Sequence, residues 1–195
     1  GGNVSISEDG NYIIVGAHQD DAGGTNIGAA YVFVRTAGGN TWTQLGTRLQ
    51  GADSVAGDYV GFSVGLSSDG TYAVICSEHD DSNKGAAYVF KRTGSSWDAG
   101  QKLVASDGAS NNNFGSDVSI SGDGNYIIVG AYREDTDGAD SGAAYVFNRT
   151  GTNSWDTGFK IKASDDDAGD RFGVSVSISK DGTYAIVGAY GDKVS

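Results

Sequence analysis

Residues 28–33 read Gly-Ala-Ala-Tyr-Val-Phe, and the same six residues return at 85–90 and 142–147, each copy 57 positions after the last. Two other landmarks recur with this segment. An Asp-Gly pair and a nearby tyrosine return at Asp9, Asp69, Asp123 and Asp181, and tryptophan returns at Trp42, Trp97 and Trp155. Repeats of this length are typical of propellers, solenoids and arrays. The chain therefore contains three whole units and the opening of a fourth.

Each unit predicts four short strands. The first is an alternating segment such as Val-Ser-Ile-Ser at 4–7, and a Ser-x-Asp-Gly turn leads to a second such as Tyr-Ile-Ile-Val-Gly-Ala at 12–17. Glycine accepts the positive φ of a tight hairpin, so the Asp-Gly pair indicates a hairpin turn. The third strand is Ala-Ala-Tyr-Val-Phe, and a weaker fourth strand carries the tryptophan and then Leu49, Leu103 or Ile161.

The second and third strands are nearly continuous apolar runs, which favours strands that are covered on both faces. Four-stranded antiparallel sheets repeated in this way are typical of blades around an axis. We therefore predict an all-β fold of β-propeller blades, with three full repeats and the first half of a fourth. The units cover about 1–59, 60–113, 114–171 and a partial 172–195 of one propeller segment. The half unit and the absence of methionine predict an excerpt of a longer array; the alternative is a chain whose open blade is covered by a neighbouring copy.

The composition narrows the classes of function. Twenty-five acidic residues against 13 basic ones give a net charge of −12, which argues against nucleic-acid binding and against anionic membrane surfaces. No apolar run approaches the roughly 20 residues of a membrane span, so no membrane insertion is expected. The single cysteine, Cys76, excludes an intramolecular disulfide and is interpreted as a small buried hydrophobe.

Three motifs connect the units to a known family. Phe114-Gly115 and Phe172-Gly173 open two units, Val-Gly-Ala ends the second strand, and Gly-Ala-Ala-Tyr-Val-Phe follows. These residues resemble FG-GAP repeats, the blades of the integrin-α-like β-propeller, in the variety common in secreted microbial and marine proteins. The family's proline in Gly-Ala-Pro is absent, and its place is taken by His18, Glu78, Tyr132 and Tyr190. The resemblance implies a rigid disc whose loop face binds protein or glycan.

The family's calcium loop between the first two strands is shortened in this chain to Ser-x-Asp-Gly-x-Tyr. One carboxylate per turn cannot supply the roughly six to eight oxygens that calcium takes, so the aspartates of these turns are expected to serve the turn itself. Two other acidic groups are candidate calcium ligands: Asp135, Asp137 and Asp140 in the third unit, and Asp165, Asp167 and Asp170 in the link that follows it. The alternatives are solvated loops and capped turns. No motif requires a cofactor, and calcium is the one ion considered.

The loop after the second strand is acidic in every unit. Its candidate ligand-binding residues are Asp20, Asp21, Asp80, Asp81 and Glu134. The only two histidines, His18 and His79, fall at adjacent rather than equivalent positions of this loop. Because no serine nucleophile elbow, His-Glu-x-x-His or phosphate-binding glycine loop is present, we predict that the chain is not an enzyme.

These observations together predict a non-catalytic extracellular or cell-surface module for adhesion, recognition or structural display. Its expected partners are a protein or glycan ligand, or copies of itself. A glycan-binding lectin is one alternative, and a structural subunit of a surface filament or sheath is another. The tryptophans could serve as sugar-stacking platforms, but their regular spacing favours packing between blades.

Overall fold

The computed structural model describes residues 2–192. Gly1 and residues 193–195, which belong to the first and fourth predicted units, lie outside the described residues. The first antiparallel sheet runs in chain order, β1 (Val4–Ile6), β2 (Tyr12–Ala17), β3 (Ala29–Arg35) and β4 (Trp42–Gln44). We call this sheet blade 1.

Blades 2 and 3 repeat this order with five strands each. Blade 2 consists of β5 (Val64–Leu66), β6 (Tyr72–Ser77), β7 (Ala86–Thr93), β8 (Ser96–Trp97) and β9 (Gln101–Leu103). Blade 3 consists of β10 (Phe114–Ile120), β11 (Tyr126–Ala131), β12 (Ala143–Gly151), β13 (Ser154–Trp155) and β14 (Phe159–Ile161). The half-blade 4 has β15 (Ser175–Ile178) and β16 (Ala185–Gly188), and α1 (Asp80–Asn83) is a single turn in blade 2. The predicted fold is confirmed.

The fourth strand differs from its prediction because in blades 2 and 3 it is divided into two short pieces. Both β8 and β9 pair with β7. Between them, Asp98 Oδ1 accepts the backbone N–H groups of Lys91 and Gly100, each at 3.0 Å. A side-chain carboxylate thus occupies a place in the ladder that a backbone carbonyl would otherwise take, and the strand is interrupted there.

The blades are joined to each other at their innermost hairpins. The backbone N–H of Ser68 donates to Gly122 O at 2.9 Å, and that of Gly122 donates to Lys180 O at 2.8 Å. The Asp-Gly aspartates serve these turns, as predicted: Asp69 Oδ1 accepts from Ser67 Oγ at 2.8 Å and from the Thr71 N–H at 2.9 Å. The repeated turn therefore both closes each hairpin and connects consecutive blades.

The glycines of the family motif interlock at the boundary between blades. Gly173 has φ +92°, and a Cβ on Gly130 of the preceding blade would lie 1.9 Å from the Gly173 carbonyl oxygen. Only glycine permits this backbone approach and this φ. The Phe-Gly of one blade and the Val-Gly-Ala of the preceding blade therefore form one contact.

The core lies between neighbouring blades: Val74 and Cys76 of blade 2 share one buried cluster with Phe114 of blade 3. Within blade 3, Phe114 packs edge-on against Tyr145 and Phe147, with ring centres 5.6 and 5.9 Å apart. Trp97 of blade 2 donates its indole N–H to Leu45 O of blade 1 at 3.3 Å, in keeping with the expected packing role of the tryptophans. Cys76 is fully buried, as predicted, and burial raises the pKa of its thiol to about 12. Within residues 2–192, no helix has the length and apolar character needed to cross a membrane.

Candidate functional site

A polar group, buried at Asp80 and Tyr88 and exposed at its other end, joins the loop after β6 to the preceding inter-blade link. The Tyr88 hydroxyl lies 2.7 Å from Asp80 Oδ2 and 2.8 Å from Asp53 Oδ1. Lys102 Nζ donates to Asp80 Oδ1 at 2.8 Å and to Asp53 Oδ2 at 2.7 Å. Asp53 belongs to the link, whereas the other three residues belong to blade 2. We call Asp53, Asp80, Tyr88 and Lys102 the inter-blade brace.

Blade 3 carries an inter-blade brace of the same chemistry at the equivalent positions. Tyr145 donates to Asp107 Oδ1 at 2.7 Å, and Lys160 Nζ lies 2.9 Å from Asp107 Oδ2 and 3.0 Å from Glu134 Oε1. In blade 1 the equivalent tyrosine also donates to the loop carboxylate. The inter-blade brace is thus a repeated feature of the fold.

The charges of the brace stabilise one another. Burial works to lower the pKa of Lys102, but hydrogen bonds to Asp53 and Asp80 outweigh burial and raise it. The Lys102 hydrogen bond holds the pKa of Asp53 below its usual value. Burial, together with the two neighbouring carboxylates, raises the pKa of Tyr88. A neutral phenol and a paired cation at neutral pH suit a structural group.

Three of the five predicted ligand-binding carboxylates therefore occupy brace positions. Asp80 and Glu134 contact the brace lysines, and Asp20 accepts the Tyr31 hydroxyl at 2.5 Å. Of the remaining two, Asp21 Oδ1 accepts the Asn26 N–H at 2.7 Å, and Asp81 pairs with Lys84 at 2.9 Å. All five have partners within the chain, and ligand binding by them stays a prediction.

The candidate calcium ligands are distributed over several local contacts. Asp135 Oδ1 accepts the Asp140 N–H at 2.8 Å, Asp137 pairs with Lys162, and Asp170 Oδ2 accepts the Asp167 N–H at 2.7 Å. The last contact is a turn cap, and Asp58 and Asn112 form the same cap at equivalent positions with N–H···O distances of 2.7 Å. The structure places Asp165 in a turn of the same link.

Within residues 2–192, no three His, Cys, Asp or Glu side chains are arranged to hold a metal ion. Calcium binding at these positions stays a prediction. It is tested by the thermal unfolding midpoint of the full chain in a chelator and in millimolar calcium. A midpoint that rises with calcium supports the prediction, and an unchanged midpoint overturns it as a structural site.

A different set of side chains lies where the second strand of each blade ends and the first strand of the next blade begins. On the side of blades 1 and 2, the Tyr59 ring lies 6.3 Å from the His18 ring and 4.9 Å from the His79 ring. Phe62 lies 5.8 Å from His18 and 6.5 Å from His79. The four rings are half-buried and form one aromatic group across the blade boundary.

The set continues toward blades 3 and 4 with charged residues. Glu78 is buried, and both Asn113 and Arg133 act on its carboxylate. The Arg133 guanidinium stands 5.5 Å from the centre of the Tyr132 ring. Arg171 stands 5.3 Å from the centre of the Tyr190 ring and donates to the Tyr190 hydroxyl. We call the central arc the side chains of His18, Tyr59, Phe62, Glu78, His79, Asn113, Tyr132, Arg133, Arg171 and Tyr190.

Three arc residues share an unusual backbone conformation. Tyr59, Asn113 and Arg171 each precede the first residue of a blade motif, and their φ values are +57°, +55° and +60°. Positive φ is uncommon outside glycine, and for a bulky residue such as tyrosine it is an outlier. Strain of this kind persists where the surrounding structure holds it, often at functional sites. The same strained position presents a phenol, an amide and a guanidinium in turn.

Burial shifts the titration of several groups around the arc. Burial raises the pKa of Glu78, opposed by Arg133 and by the Asn113 hydrogen bond. Burial lowers the pKa of His79, opposed by Asp58. His79 Nδ1 lies 3.9 Å from Glu78 Oε1. A buried carboxyl next to a histidine that favours its neutral form is an arrangement that occurs at binding and catalytic sites.

Two buried polar atoms of the arc have no hydrogen-bond partner among the described residues, His79 Nδ1 and Asn113 Oδ1. A buried polar atom without a partner costs about 1–3 kcal/mol. Both atoms are shielded from solvent, so a ligand group pairs with them only if neighbouring side chains move. A cleft of about 390 Å³ opens beside the arc and is lined by His18, Gln19 and Asp20 among others.

The opposite end of the blades has a larger cleft of about 790 Å³, lined by hairpin residues that include Ser68, Asp123 and Lys180. Its walls are the repeated Ser-x-Asp-Gly turns, whose aspartates already cap their own backbone. The central arc is therefore the better candidate site, because two of its buried polar atoms have no partner among the described residues and its chemistry differs from blade to blade.

Sequence reasoning missed most of this site. The histidines fall at adjacent positions of two blades, and packing brings both of them against Tyr59. A signal was present in the aligned units: the position of His18, Glu78, Tyr132 and Tyr190 holds three different residue types directly after strands that are otherwise similar. Variation of side chains on a constant backbone marks positions that the fold does not need to keep the same.

Comparison with known proteins supports the architecture. The FG-GAP repeat model matches residues 1–33, 42–90, 97–147 and 155–194. No curated protein sequence matches the chain. Among solved structures, the chain is similar to the periplasmic gluconolactonase of Pseudomonas aeruginosa, with 17% identity and a TM-score of 0.63 over 96% of this chain and 50% of that one.

Two further structures show the same likeness. One is a Bacteroides uniformis protein proposed to be a 6-phosphogluconolactonase, with 16% identity and a TM-score of 0.60 over 95% of this chain and 46% of that one. The other is TolB from Acinetobacter baumannii, with 14% identity and a TM-score of 0.52 over 95% and 36%. The chain spans half or less of the length of these proteins, and the likeness shows the fold alone.

These structures correct one prediction. Two of the three are named as lactonases. The prediction that the chain is not an enzyme is therefore wrong, because it was deduced from the absence of continuous catalytic motifs in a repeat propeller. The physical reason is that a propeller gathers the residues of a site from different blades, and such a site has no continuous motif. The fold leaves both binding and catalysis open.

Proposed function

Because the chain belongs to the FG-GAP repeat family, we propose that it is an extracellular or cell-surface recognition module whose ligand, a protein or a glycan, binds to the central arc. The cellular location rests on the family resemblance and on the acidic composition, with a net charge of −12. The arc stands where the loops of three blade boundaries meet, which is a suitable place for a ligand to contact several blades.

One observation carries the proposal. Brace positions hold the same kinds of residue in blades 2 and 3, whereas the arc position directly after the second strand holds His18, Glu78, Tyr132 and Tyr190 in the four units. A repeat needs the same residue wherever the same contact is made. Positions released from that requirement, three of them held at positive φ and two with an unpartnered buried atom, are suited to one asymmetric ligand.

A glycan array and a panel of beads coated with extracellular proteins test the proposal. The full chain is compared with His79→Ala in the arc and with Arg35→Ala, an exposed control whose guanidinium bonds only to its own loop, Gly39 O and Asn40 Oδ1. We expect a ligand that binds the wild type and the control but not His79→Ala. Responses that are flat on every glycan and no stronger than albumin on every bead would overturn the proposal.

A second candidate function rests on the exposed apolar faces of the first blade and the half-blade. Val4 is 65% exposed, although its equivalents Val64 and Val118 are 4% and 7% exposed between blades. Ile186 of the half-blade is 71% exposed, whereas its equivalent Ile128 is fully buried. These two faces are the two halves of one repeated contact, so copies of the chain could associate end to end as a structural subunit.

Sedimentation of the full chain over a range of concentrations tests this second candidate. Association that weakens in Val4→Asp and in Ile186→Asp supports it, because a charge in an apolar contact opposes burial. A monomer at every concentration overturns it.

A further inference from the structure

Half-blade 4 has an open sheet edge. Within residues 2–192, β16 pairs only with β15, whereas the equivalent second strands β2, β6 and β11 each pair with a third strand as well. An unpaired edge presents a row of backbone N–H and C=O groups that can pair with another segment. The edge of β16 is therefore the edge on which the other blades hold their third strand.

The backbone groups of β16 have defined directions. The carbonyl of Tyr184, directly before the strand, accepts the Ser179 N–H at 2.8 Å and so points toward the inner strand. Backbone groups of successive residues in an antiparallel strand alternate in direction. Those of Ala185 and Val187 therefore point at the open edge, where an added strand would pair with them.

The complete blades show the register and the side chains of such a strand. Their third strands all read Ala-Ala-Tyr-Val-Phe and pair with the second strand in one register. The same register places the phenylalanine opposite Ala185 and the two alanines opposite Gly188 and Ala189. In blade 2 the residue opposite Phe90 is also an alanine, Ala73, so this pair already exists in the fold.

Half-blade 4 also carries the two carboxylates of an inter-blade brace. Asp165 and Asp192 stand at the positions of Asp53 and Asp80, which both lie within 2.8 Å of the Tyr88 hydroxyl in blade 2. Both are exposed, and neither forms an ion pair within the described residues. The tyrosine of an added Ala-Ala-Tyr-Val-Phe strand would supply the hydroxyl that the other braces contain.

A third contact involves the arginine two residues after the phenylalanine. Arg92 of blade 2 stands 4.3 Å from the centre of the Tyr12 ring of blade 1, and Arg149 of blade 3 stands 4.7 Å from that of Tyr72 of blade 2. Tyr126 of blade 3 is the next ring in this series, and no cation lies over it within the described residues. An arginine on the added strand would complete the series by a cation–π contact.

The chain's own third strands are already occupied. Strands β3, β7 and β12 each pair on one side with a second strand and on the other with an outer strand. A second folded copy would have to break two ladders to supply one of them. A separate extended segment has no such cost.

We propose that half-blade 4 accepts a separate extended segment of the pattern Gly-Ala-Ala-Tyr-Val-Phe-x-Arg as an antiparallel strand along β16, with its tyrosine at Asp165 and Asp192 and its arginine on Tyr126. Backbone pairing supplies the affinity, and the side chains select the segment. The contact uses none of the side chains of the central arc, so it goes beyond the proposed function and does not depend on it.

Fluorescence anisotropy of a labelled peptide tests the proposal with the full chain. The peptide has the sequence of residues 142–150, Gly-Ala-Ala-Tyr-Val-Phe-Asn-Arg-Thr. We expect saturable binding of this peptide and no binding of a scrambled peptide of the same composition and charge.

Two methylated peptides test the ladder without changing the chain. In blade 3 the Arg149 N–H donates to Asn125 O at 2.8 Å, so alternation directs the tyrosine N–H of this strand toward the second strand and the valine N–H away from it. A methyl group on the tyrosine amide should therefore weaken binding at least about tenfold, and one on the valine amide less than about twofold.

Substitutions test the carboxylates. Asp192→Asn should weaken binding about fivefold, and so should phenylalanine in place of the peptide's tyrosine. The two losses should not add, because both remove the same contact. Asp167→Asn, which removes the same charge two residues after Asp165, should leave the affinity unchanged.

Several outcomes would overturn the proposal. Equal binding of the scrambled peptide shows nonspecific attraction of a basic peptide to an acidic chain, and equal affinities of the two methylated peptides exclude strand addition. Anisotropy that does not saturate up to roughly 1 mM chain excludes the site. Dimers of the full chain in sedimentation that the peptide dissociates would show that a second copy, and not a separate segment, occupies the edge.

Discussion

The inter-blade brace and the central arc both form at the ends of the second strands, a few residues apart, yet one repeats and the other does not. Asp80 belongs to the brace and is followed within blade 2 by Tyr88 and Lys102. Glu78 and His79, the two residues before Asp80, belong to the arc. The change from repeated to varied chemistry therefore occurs between neighbouring positions of one loop.

The difference teaches how a repeat protein separates stability from recognition. The boundary between blades 1 and 2 and the boundary between blades 2 and 3 carry the same brace, because each link meets the next blade in the same way. Three links and four loops each contribute side chains to the arc. A ligand bound there would meet each of them once. Equivalent positions can then carry different side chains without loss to the fold.

The largest expected difference in stability between the two regions follows from replacing a cationic side chain in each of them. Lys102→Met leaves the buried Asp80 without its counter-charge, and we expect a loss of about 2–3 kcal/mol in the free energy of unfolding. Arg133→Met should cost less, about 1 kcal/mol, because Arg133 offsets the charge of the buried Glu78 without forming an ion pair with it. Urea denaturation of the full chain measures both. Equal losses would show that the arc is as structural as the brace.

A smaller contrast is expected from the phenol groups. Tyr88→Phe removes a hydroxyl that lies within 2.8 Å of two carboxylates, and we expect a loss of about 1–2 kcal/mol. Tyr132→Phe removes a hydroxyl of the arc and should be neutral within about 0.5 kcal/mol. A destabilising Tyr132→Phe would place Tyr132 among the structural residues.

The two regions should also differ in the sign of their pH dependence. The pKa of Glu78 is raised by burial, so its ionised form destabilises the fold at pH 7, and this penalty is removed as pH falls through the raised pKa to below 4.5. Glu78→Gln should therefore stabilise the chain at pH 7 by about 1 kcal/mol, and the gain should disappear by pH 4.

The brace provides the opposite case. The pKa of Asp53 is lowered by Lys102, so its contribution is present above the unfolded value of 3.8 and is lost as pH falls through the lowered pKa. Asp53→Asn should destabilise the chain at pH 7 and converge with wild type in strong acid. Unfolding curves between pH 2 and 8 measure the stability of Glu78→Gln and Asp53→Asn. If both variants are stabilised at pH 7, or both destabilised, the two regions do not differ in pH dependence.

The smallest expected effect is at Tyr59. Tyr59→Gly removes ring contacts of the arc but relieves a φ of +57°, so the free energy of unfolding should change by less than about 1 kcal/mol. Ligand binding should nevertheless be lost. A loss of several kcal/mol in urea denaturation would mean that the ring is part of the core.

Much of the architecture follows from short, recurring sequence motifs. Gly-Ala-Ala-Tyr-Val-Phe, the Asp-Gly turns and the Phe-Gly and Val-Gly-Ala motifs act through local backbone geometry and through contacts that recur at every boundary. The division of the fourth strand was not predicted, because it depends on Asp98 bonding to the backbone seven residues earlier. The acidic loop residues were identified, but their partners in the brace were not.

By itself the sequence determined the blades, their order and their hairpins, because each of these follows from periodicity and from glycines at positions whose backbone conformation favours glycine. Only the tertiary structure decided which polar residues meet. His18 and His79 are 61 positions apart and share Tyr59 because two blades pack side by side. Side-chain pairing across blades depends on the angle and distance between sheets, and no periodicity along the chain encodes which particular residues will face each other there.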